Sequence, residues 1–465
     1  MKTIYHSSTK YFLVVCVIIA LSFSSCESFL DVDLPKSQLT NDAVFDSYET
    51  ATIAMTDVYS KMRDKGLLTG TSFGISNQLA IYSDELVSYA NQSSANYNFF
   101  NNSLLPTNTT VTDYWNLTYN QIYSSNLVIE GVRNSKTLTS EQKNQLEGEA
   151  LFVRALLHFY LVNLFGDIPY ITQSNYTTNS NVSRISTEGV YAMIIEDLKR
   201  SIELLPLNYI SSNKIRPNQS TAKALLSRVY LYGKSWIEAE NIASSLINET
   251  TLFSFEDNIN NVFLIGSKET LWQLQSANAG QNTADGATFI FISGPPLAVS
   301  LSPNLVNSFT SNDLRKSNWI KAITNGTTTW YHPNKYKERS TTTASKEYSI
   351  VFRLTEQYLI RAEARAQQEK LAGAKEDLNK IRLRAGLGGT PALTKADLLA
   401  AILQERRWEL FTERGHRFFD LKRNDQLDQV LSIVKPGWNS ADRLFPIPQK
   451  ELSTNPNLRP QNPGY

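Results

Sequence analysis

Three places in this chain bring together residue types that can do chemistry. Gly70-Thr71-Ser72-Phe73-Gly74 spells the Gly-x-Ser-x-Gly pattern of a hydrolase nucleophile. That device needs a strand before the serine, a helix after it, and an Asp and a His further on. The residues before Gly70 carry a helical rhythm instead. Of the later histidines, His158 lies inside a long helix, His332 beside Pro333 and His416 in a dense charge cluster. A glycine-rich turn after a helix accounts for the pentapeptide without catalysis. Glu405, Glu409 and Glu413 recur every four residues among Arg406, Arg407, Arg414 and Arg417. Two carboxylates on one helix face can serve as the acid and base of glycoside cleavage. So many guanidiniums hold carboxylates ionised, away from the value an acid catalyst needs, and the cluster reads as a structural ion-pair network. There is no His-Glu-x-x-His, no cysteine pair and no calcium-loop spacing, so no metal and no cofactor is expected.

The third place is aromatic. Tyr 22, Phe 21 and Trp 7 make an aromatic-rich chain, and many of these rings fall in Asn/Ser/Thr-rich stretches. Flat rings flanked by amides suit a ligand with both C–H faces and hydroxyls, which is the chemistry of a sugar ring. The segment 89–102 (YANQSSANYNFFNN) has that mixture, and Tyr97, Phe99 and Phe100 are its candidate platforms. Gln281, Asn282 and Phe289 form a second candidate group. The competing reading is that these rings pack beneath their own loops. Trp115, Trp236, Trp272 and Trp408 sit in periodic or strand-like runs and are assigned to the core.

The elements that must position these residues follow from periodicity. Lys2 and Lys10 precede an apolar run, Phe12 to Phe23, that stops at Ser24-Ser25-Cys26. This is the layout of an export signal over residues 1–25, too short to span a bilayer as a helix. Cys16 leaves with the signal, so Cys26 is the one cysteine expected in the mature chain, placed where a bacterial lipoprotein is acylated. Residues 26–40 read as an extended tether, with Pro35 opposing a helix. Lys+Arg 45 nearly cancel Asp+Glu 44, and no basic cluster stands out, so nucleic acid is not an expected partner. Helical spacing recurs at 42–63, 113–132, 140–165 and 187–205, the third opening at Ser140-Glu141 and stopping at Gly166. Segments 220–248 and 354–383 each read as two short helices around a turn, near Gly233 and near Lys370. Small residues at helix crossings and bulky ones before the turns are the rhythm of tetratricopeptide-like pairs. Between about 250 and 350 the rhythm fails, and short β-like runs (Leu271–Leu274, Phe289–Ile292) alternate with Gly, Pro, Asn and Thr. The expected fold is mainly all-α: a tetratricopeptide-like helix-pair scaffold with a long irregular, partly β insertion.

Several segments together resemble the SusD/RagB family of nutrient-uptake lipoproteins. They are Cys26-Glu27-Ser28-Phe29-Leu30-Asp31 with Pro35; Glu149-Ala150-Leu151-Phe152-Val153-Arg154-Ala155; and Phe165-Gly166-Asp167-Ile168-Pro169. Further on come Arg353-Leu354-Thr355-Glu356 (the family usually has Ala for Thr355), Glu405-Arg406-Arg407-Trp408-Glu409-Leu410 and Arg417-Phe418-Phe419-Asp420-Leu421-Lys422-Arg423. Phe445-Pro446-Ile447-Pro448, Asn455-Pro456-Asn457-Leu458 and Gln461-Asn462-Pro463-Gly464-Tyr465 complete the set. The resemblance implies an N-terminal SusD-like helical region over 41–215 and a C-terminal SusD/RagB-like region over 216–465. It also implies a non-catalytic, lipid-anchored protein on the outer face of the outer membrane, binding glycans or related nutrients for a SusC-like TonB-dependent transporter. The family's binding residues carry no fixed motif. Two other classes compete: a surface hydrolase (glycosidase or esterase), and a helical-repeat adaptor that binds only proteins.

Overall fold

The computed structural model describes residues 41–92 and 94–465. The signal, Cys26 and the tether therefore lie outside the described residues. Asn41–Val44 is a short helix within a separate N-terminal unit, and Phe45–Tyr465 form the second unit.

The second unit opens with α1, Tyr48–Asp64. Ser47 caps it, accepting from the Thr50 N–H at 3.2 Å, and Ala51, Met55, Val58 and Met62 form its buried stripe. A glycine-rich turn leads to α2, Ile75–Tyr82, in which every residue is buried. Then come α3 (Ala95–Phe100), α4 (Thr109–Asn134) and α5 (Ser140–Phe165). The N-cap of α5 is Thr139, one residue earlier than the sequence signal indicates, in a reciprocal capping box with Gln142. By length and composition α5 qualifies as a membrane span, yet 94% of its apolar window is buried inside the protein. It is apolar all round because helices cover it on several sides: α4, α1 and α6 (Thr187–Leu204) all pack against it.

The two helix pairs are α7 (Gln219–Tyr232) with α8 (Trp236–Ile247), and α9 (Leu354–Gln367) with α10 (Leu371–Arg384). Both turns are three residues long and place a left-handed non-glycine residue in the middle, Lys234 and Glu369. Each helix packs on the next from α4 through α10, and α11 (Lys395–Leu410) closes the row against α9 and α10. Ala362, Ala366 and Ala374 let these last helices approach Leu378, Leu398 and Ile402 closely. Because α8 packs directly on α9, residues 248–353 loop out of the row as the expected insertion.

The insertion is only partly β. Among the described residues, three two-stranded antiparallel sheets occur: β1 (Leu86–Ser88) with β3 (Val299–Leu301), β2 (Thr270–Leu274) with β6 (Ser349–Arg353), and β4 (Ile320–Asn325) with β5 (Thr328–Pro333). The β-like run expected at Phe289–Ile292 is not a strand. Phe289 ends a short helix, Ala284–Phe289, whose start is fixed by Thr283 accepting from the Asp285 N–H. Of the four tryptophans assigned to the core, Trp115 and Trp272 are buried, while Trp236 and Trp408 are half-buried.

Candidate functional site

The glutamate-rich face of α11 is structural. Glu409 is fully buried and bonded to three guanidiniums: Arg353 at 2.8 Å, Arg315 at 3.2 Å, and Arg384. Burial alone would raise its pKa; the three arginines outweigh that and hold it well below the usual carboxylate range. Glu413, paired with Lys335 and Arg353, is likewise lowered against the pull of burial. Glu405 behaves differently, since burial raises it despite Arg315 and Arg382. The neighbouring arginines serve other partners. Arg406 binds Asp420 at 2.7 Å, and Arg407 and Arg417 converge on Asp84 at 2.8 Å. Arg414 donates to the Leu68 carbonyl and the Ser349 hydroxyl. Thr355, where the family usually has Ala, spends its hydroxyl on Glu269. Glu405, Glu409 and Glu413 are each paired with cations, so none of the three stands free for acid–base work.

The serine pentapeptide lacks its hydrolase context. α1 and a turn precede it, and the Ser72 carbonyl accepts from the side chains of Asn77 and Gln78 at 2.8 and 2.9 Å. Gly74 is needed for packing, since a Cβ there would lie 1.7 Å from the Thr69 oxygen. His158, His332 and His416 are all buried. His158 Nε2 accepts from the Ile171 N–H at 3.1 Å, its Nδ1 lies 2.9 Å from the Arg154 oxygen, and burial pushes its pKa down to about 3.

The aromatic candidates divide. In α3, Phe99 is fully buried, edge-on to Tyr82, Tyr114 and Phe445 at 5.6–6.3 Å. It is a core residue and offers no stacking face. Phe100 is half-buried beneath the Lys435 ammonium, 4.0 Å from its ring centre, and Tyr97 stays partly exposed. Phe289 is buried too. Asn282 is a structural staple: its amide donates to Ser340 O and Thr342 Oγ1 at 3.0 Å and accepts from the N–H groups of Lys346 and Glu347. Gln281 accepts from the Asn278 N–H within its own turn. These two border a small cavity of about 150 Å³ beside Arg63, Asp64 and Thr71.

What the structure does bring together is the borders of the two candidate segments. β1 pairs with β3, and the Tyr89 N–H donates to the Ala298 carbonyl at 2.8 Å, so the start of the first segment adjoins the stretch that ends at Ala298. The Thr288 hydroxyl donates to the Gly70 carbonyl at 2.8 Å, and the Tyr114 hydroxyl donates to the Phe73 carbonyl at 2.6 Å. Gln78 bridges the Ser72 carbonyl to the Asn96 amide oxygen. Three loops are thereby fixed side by side with their large apolar side chains outward: Phe73 is 58% exposed, Leu297 94%, and Tyr89 and Ile292 are also exposed. The Tyr89 hydroxyl is oriented 3.0 Å from Ser300 Oγ. Gly294 lies against Trp330, where a Cβ would be 2.4 Å from the ring. A rigid backbone presenting uncommitted rings beside Asn96 and Tyr97 can take up a ligand with flat apolar faces and hydroxyl edges. Phe73 was hidden inside the pentapeptide, and the signal that could have found it is a large apolar residue at the tip of a glycine-rich turn.

Comparison with known proteins agrees with this architecture. Residues 28–231 match the family described as "Starch-binding associating with outer membrane", and residues 302–465 match the SusD family. SusD-like protein P25 of Formosa agariphila is 24% identical, with 96% of this chain and 97% of the relative aligned. SusD-like protein P2 of the same organism is 28% identical over 76% of this chain and 81% of its own length. Among solved structures, a laminarin-binding SusD-like protein superposes with a TM-score of 0.76 at 25% identity, covering 90% of this chain and 99% of its own. A SusD superfamily protein from Bacteroides vulgatus gives 0.78 at 22% identity over 90% and 100%. Motifs, helix row and family matches converge: this chain belongs to the SusD/RagB family of carbohydrate-binding proteins.

Proposed function

We propose that this protein is a non-catalytic glycan receptor of the outer membrane that delivers oligosaccharides to a SusC-like TonB-dependent transporter, held at the cell exterior by a lipid on Cys26. The observation that carries the reading is the exposed apolar face, the rings of Phe73 and Tyr89 with Ile292 and Leu297, with hydrogen bonds tying the Phe73 loop and the Tyr89 backbone to the fold. Stacked aromatics on a preorganised backbone bind a sugar without the entropy cost of ordering a loop. The laminarin-binding neighbour makes β-glucan the first ligand to try.

The test is native electrophoresis in gels containing laminarin, pullulan, xylan or galactomannan. Retardation by one of them is expected, with Phe73→Ala/Tyr89→Ala weakening it about tenfold or more at an unchanged melting temperature. Release of reducing ends would replace this reading by a glycosidase. Capture of the transporter with no retardation on any gel would favour the protein-only adaptor. Separately, Cys26→Ala is expected to move the protein from the membrane to the soluble fraction, since the lipid is the proposed anchor.

A further inference from the structure

Tyr114 and Trp115 are consecutive on α4, so their side chains point about 100° apart around the helix. Tyr114 reaches the Phe73 loop of the face just described. Trp115 opens a second stripe, with Tyr119 and Tyr123 at successive intervals of four residues. These three rings form a ladder about 12 Å long. Asn116 and Asn120 follow the first two rings, one residue behind each.

The stripe forms one wall of a cleft of about 450 Å³, closed by the 169–182 segment and by residues 451–458. That is within the size range of small-ligand sites, about 300–1,000 Å³. The wall is graded from fixed to free. Trp115 is buried and packs on Tyr119 at 5.0 Å, and the Tyr119 hydroxyl donates to the Pro169 carbonyl at 2.8 Å. Tyr123 is 39% exposed, and Tyr176, on the other wall, is 81% exposed. The Asn120 amide and the Tyr123 and Tyr176 hydroxyls make no hydrogen bond to any described residue. A dry protein interface would want a charge-depleted apolar centre ringed by polar groups. Here each ring has an amide or hydroxyl beside it instead.

We infer that this cleft is a second saccharide subsite, independent of the Phe73 face, that takes an uncharged sugar unit between Tyr123 and Tyr176 with Asn120 bonding its hydroxyls. The inference rests on the glycan-binding reading above and adds to it a bivalent grip on polymeric glycan. Two sites on one rigid body make the second contact intramolecular, so a polymer is held much more tightly than by either site alone.

The same four polysaccharide gels test it, run with wild type, Tyr123→Ala/Tyr176→Ala, Asn120→Ala and the Phe73→Ala/Tyr89→Ala pair. The cleft residues changed are exposed, so melting temperatures equal to wild type are expected. On the retarding gel the cleft pair should lose about tenfold or more in apparent affinity. Asn120→Ala should lose less, and both variants should still bind through the Phe73 face. Wild-type retardation of both cleft variants, with loss confined to the Phe73/Tyr89 pair, overturns the second site and leaves the first standing. No retardation of wild type on any gel overturns both. Unchanged retardation with lost transporter capture in the cleft pair would give the cleft to a protein partner and overturn the inference.

Discussion

The ion-pair hub around Glu409 and the aromatic face around Phe73 are opposites in how their side chains are spent. Glu409 touches arginines from three separate segments, and its oxygens have nothing left for a ligand. The Phe73 loop is tied down through the carbonyls of Gly70 and Phe73, while the side chains of Phe73, Ile292 and Leu297 stay exposed. The family motifs gather in the first kind of region. A buried charge tolerates only the partner that neutralises it, so its residue type is constrained. A stacking platform needs a flat or apolar surface at a certain place, and different residues on different loops can supply it. Recurring sequence therefore marks the frame, while the ligand face is written in exposure.

The strongest way to break this contrast is Glu409→Ala. It leaves Arg315, Arg353 and Arg384 facing one another in the interior and should cost about 3–5 kcal/mol, read from the urea midpoint. A loss below about 1 kcal/mol would mean the hub does not hold the fold.

Two phenylalanines sharpen it next. Phe99→Ala should lower stability by about 3–5 kcal/mol, as for a large core truncation. Phe73→Ala should stay within about 0.5 kcal/mol of wild type yet weaken polysaccharide retardation. Exchange of these two phenotypes would reverse the assignment of frame and face.

Glu85 tests whether the interior tolerates a neutral acid. Burial, reinforced by the adjacent Asp84 charge, pushes its pKa up to about 8, and one oxygen accepts from the Thr412 N–H at 3.2 Å. Free Glu titrates near 4.3, so from about that pH up to the folded value the native state keeps a proton that the unfolded chain has lost. Its stabilising contribution is complete below the free value and fades as pH climbs toward 8. Glu85→Gln, neutral at every pH, should flatten that decline and exceed wild type at pH 8 by several kcal/mol, about 1.4 kcal/mol for each pH unit between the two values. Parallel stability curves for the two proteins between pH 5 and 8 would contradict it.

The smallest effect is Tyr89→Phe, which removes the hydroxyl oriented by Ser300 and keeps the ring. A stability loss of about 0.5–1.5 kcal/mol is expected, with most of the polysaccharide retardation kept. Loss of all retardation would show that the hydroxyl, not the ring, makes the contact.

Much of the frame was legible in the sequence because a helix repeats its buried side every turn. The bounds of α5 and both helix pairs follow from apolar spacing and the turns at Gly233 and Lys370. The partners of the α11 glutamates were not legible. Arg406 and Arg407 are adjacent to them in sequence, but neighbours on a helix point about 100° apart, and the real partners, Arg315, Arg353 and Arg384, arrive from elsewhere in the fold. The aromatic segment 97–100 was legible only in part, for a related reason. Read as a loop, it offers three equivalent rings; folded as one helical turn, it must bury one, and Phe99 is the one facing Tyr82. Phe289–Ile292 has the composition of a strand, but Thr283 starts a helical turn that runs through Phe289. Trp115 is buried as its periodic run indicates, but the spacing does not reveal that the far end of its stripe, at Tyr123, opens into a cleft.

The chain's first and last thirds are interlocked, and this bears on how it is born. Asp84 is neutralised by Arg407 and Arg417, β1 waits for β3, and the Asn462 amide donates to the carbonyls of Phe165 and Phe445. Until synthesis reaches residue 407, Asp84 has neither of these counter-charges, and until residue 418 α2 lacks the Phe418 ring that packs on Tyr82. The early helices are therefore made long before their charged and aromatic partners, and the fold closes only once the last sixty residues are present.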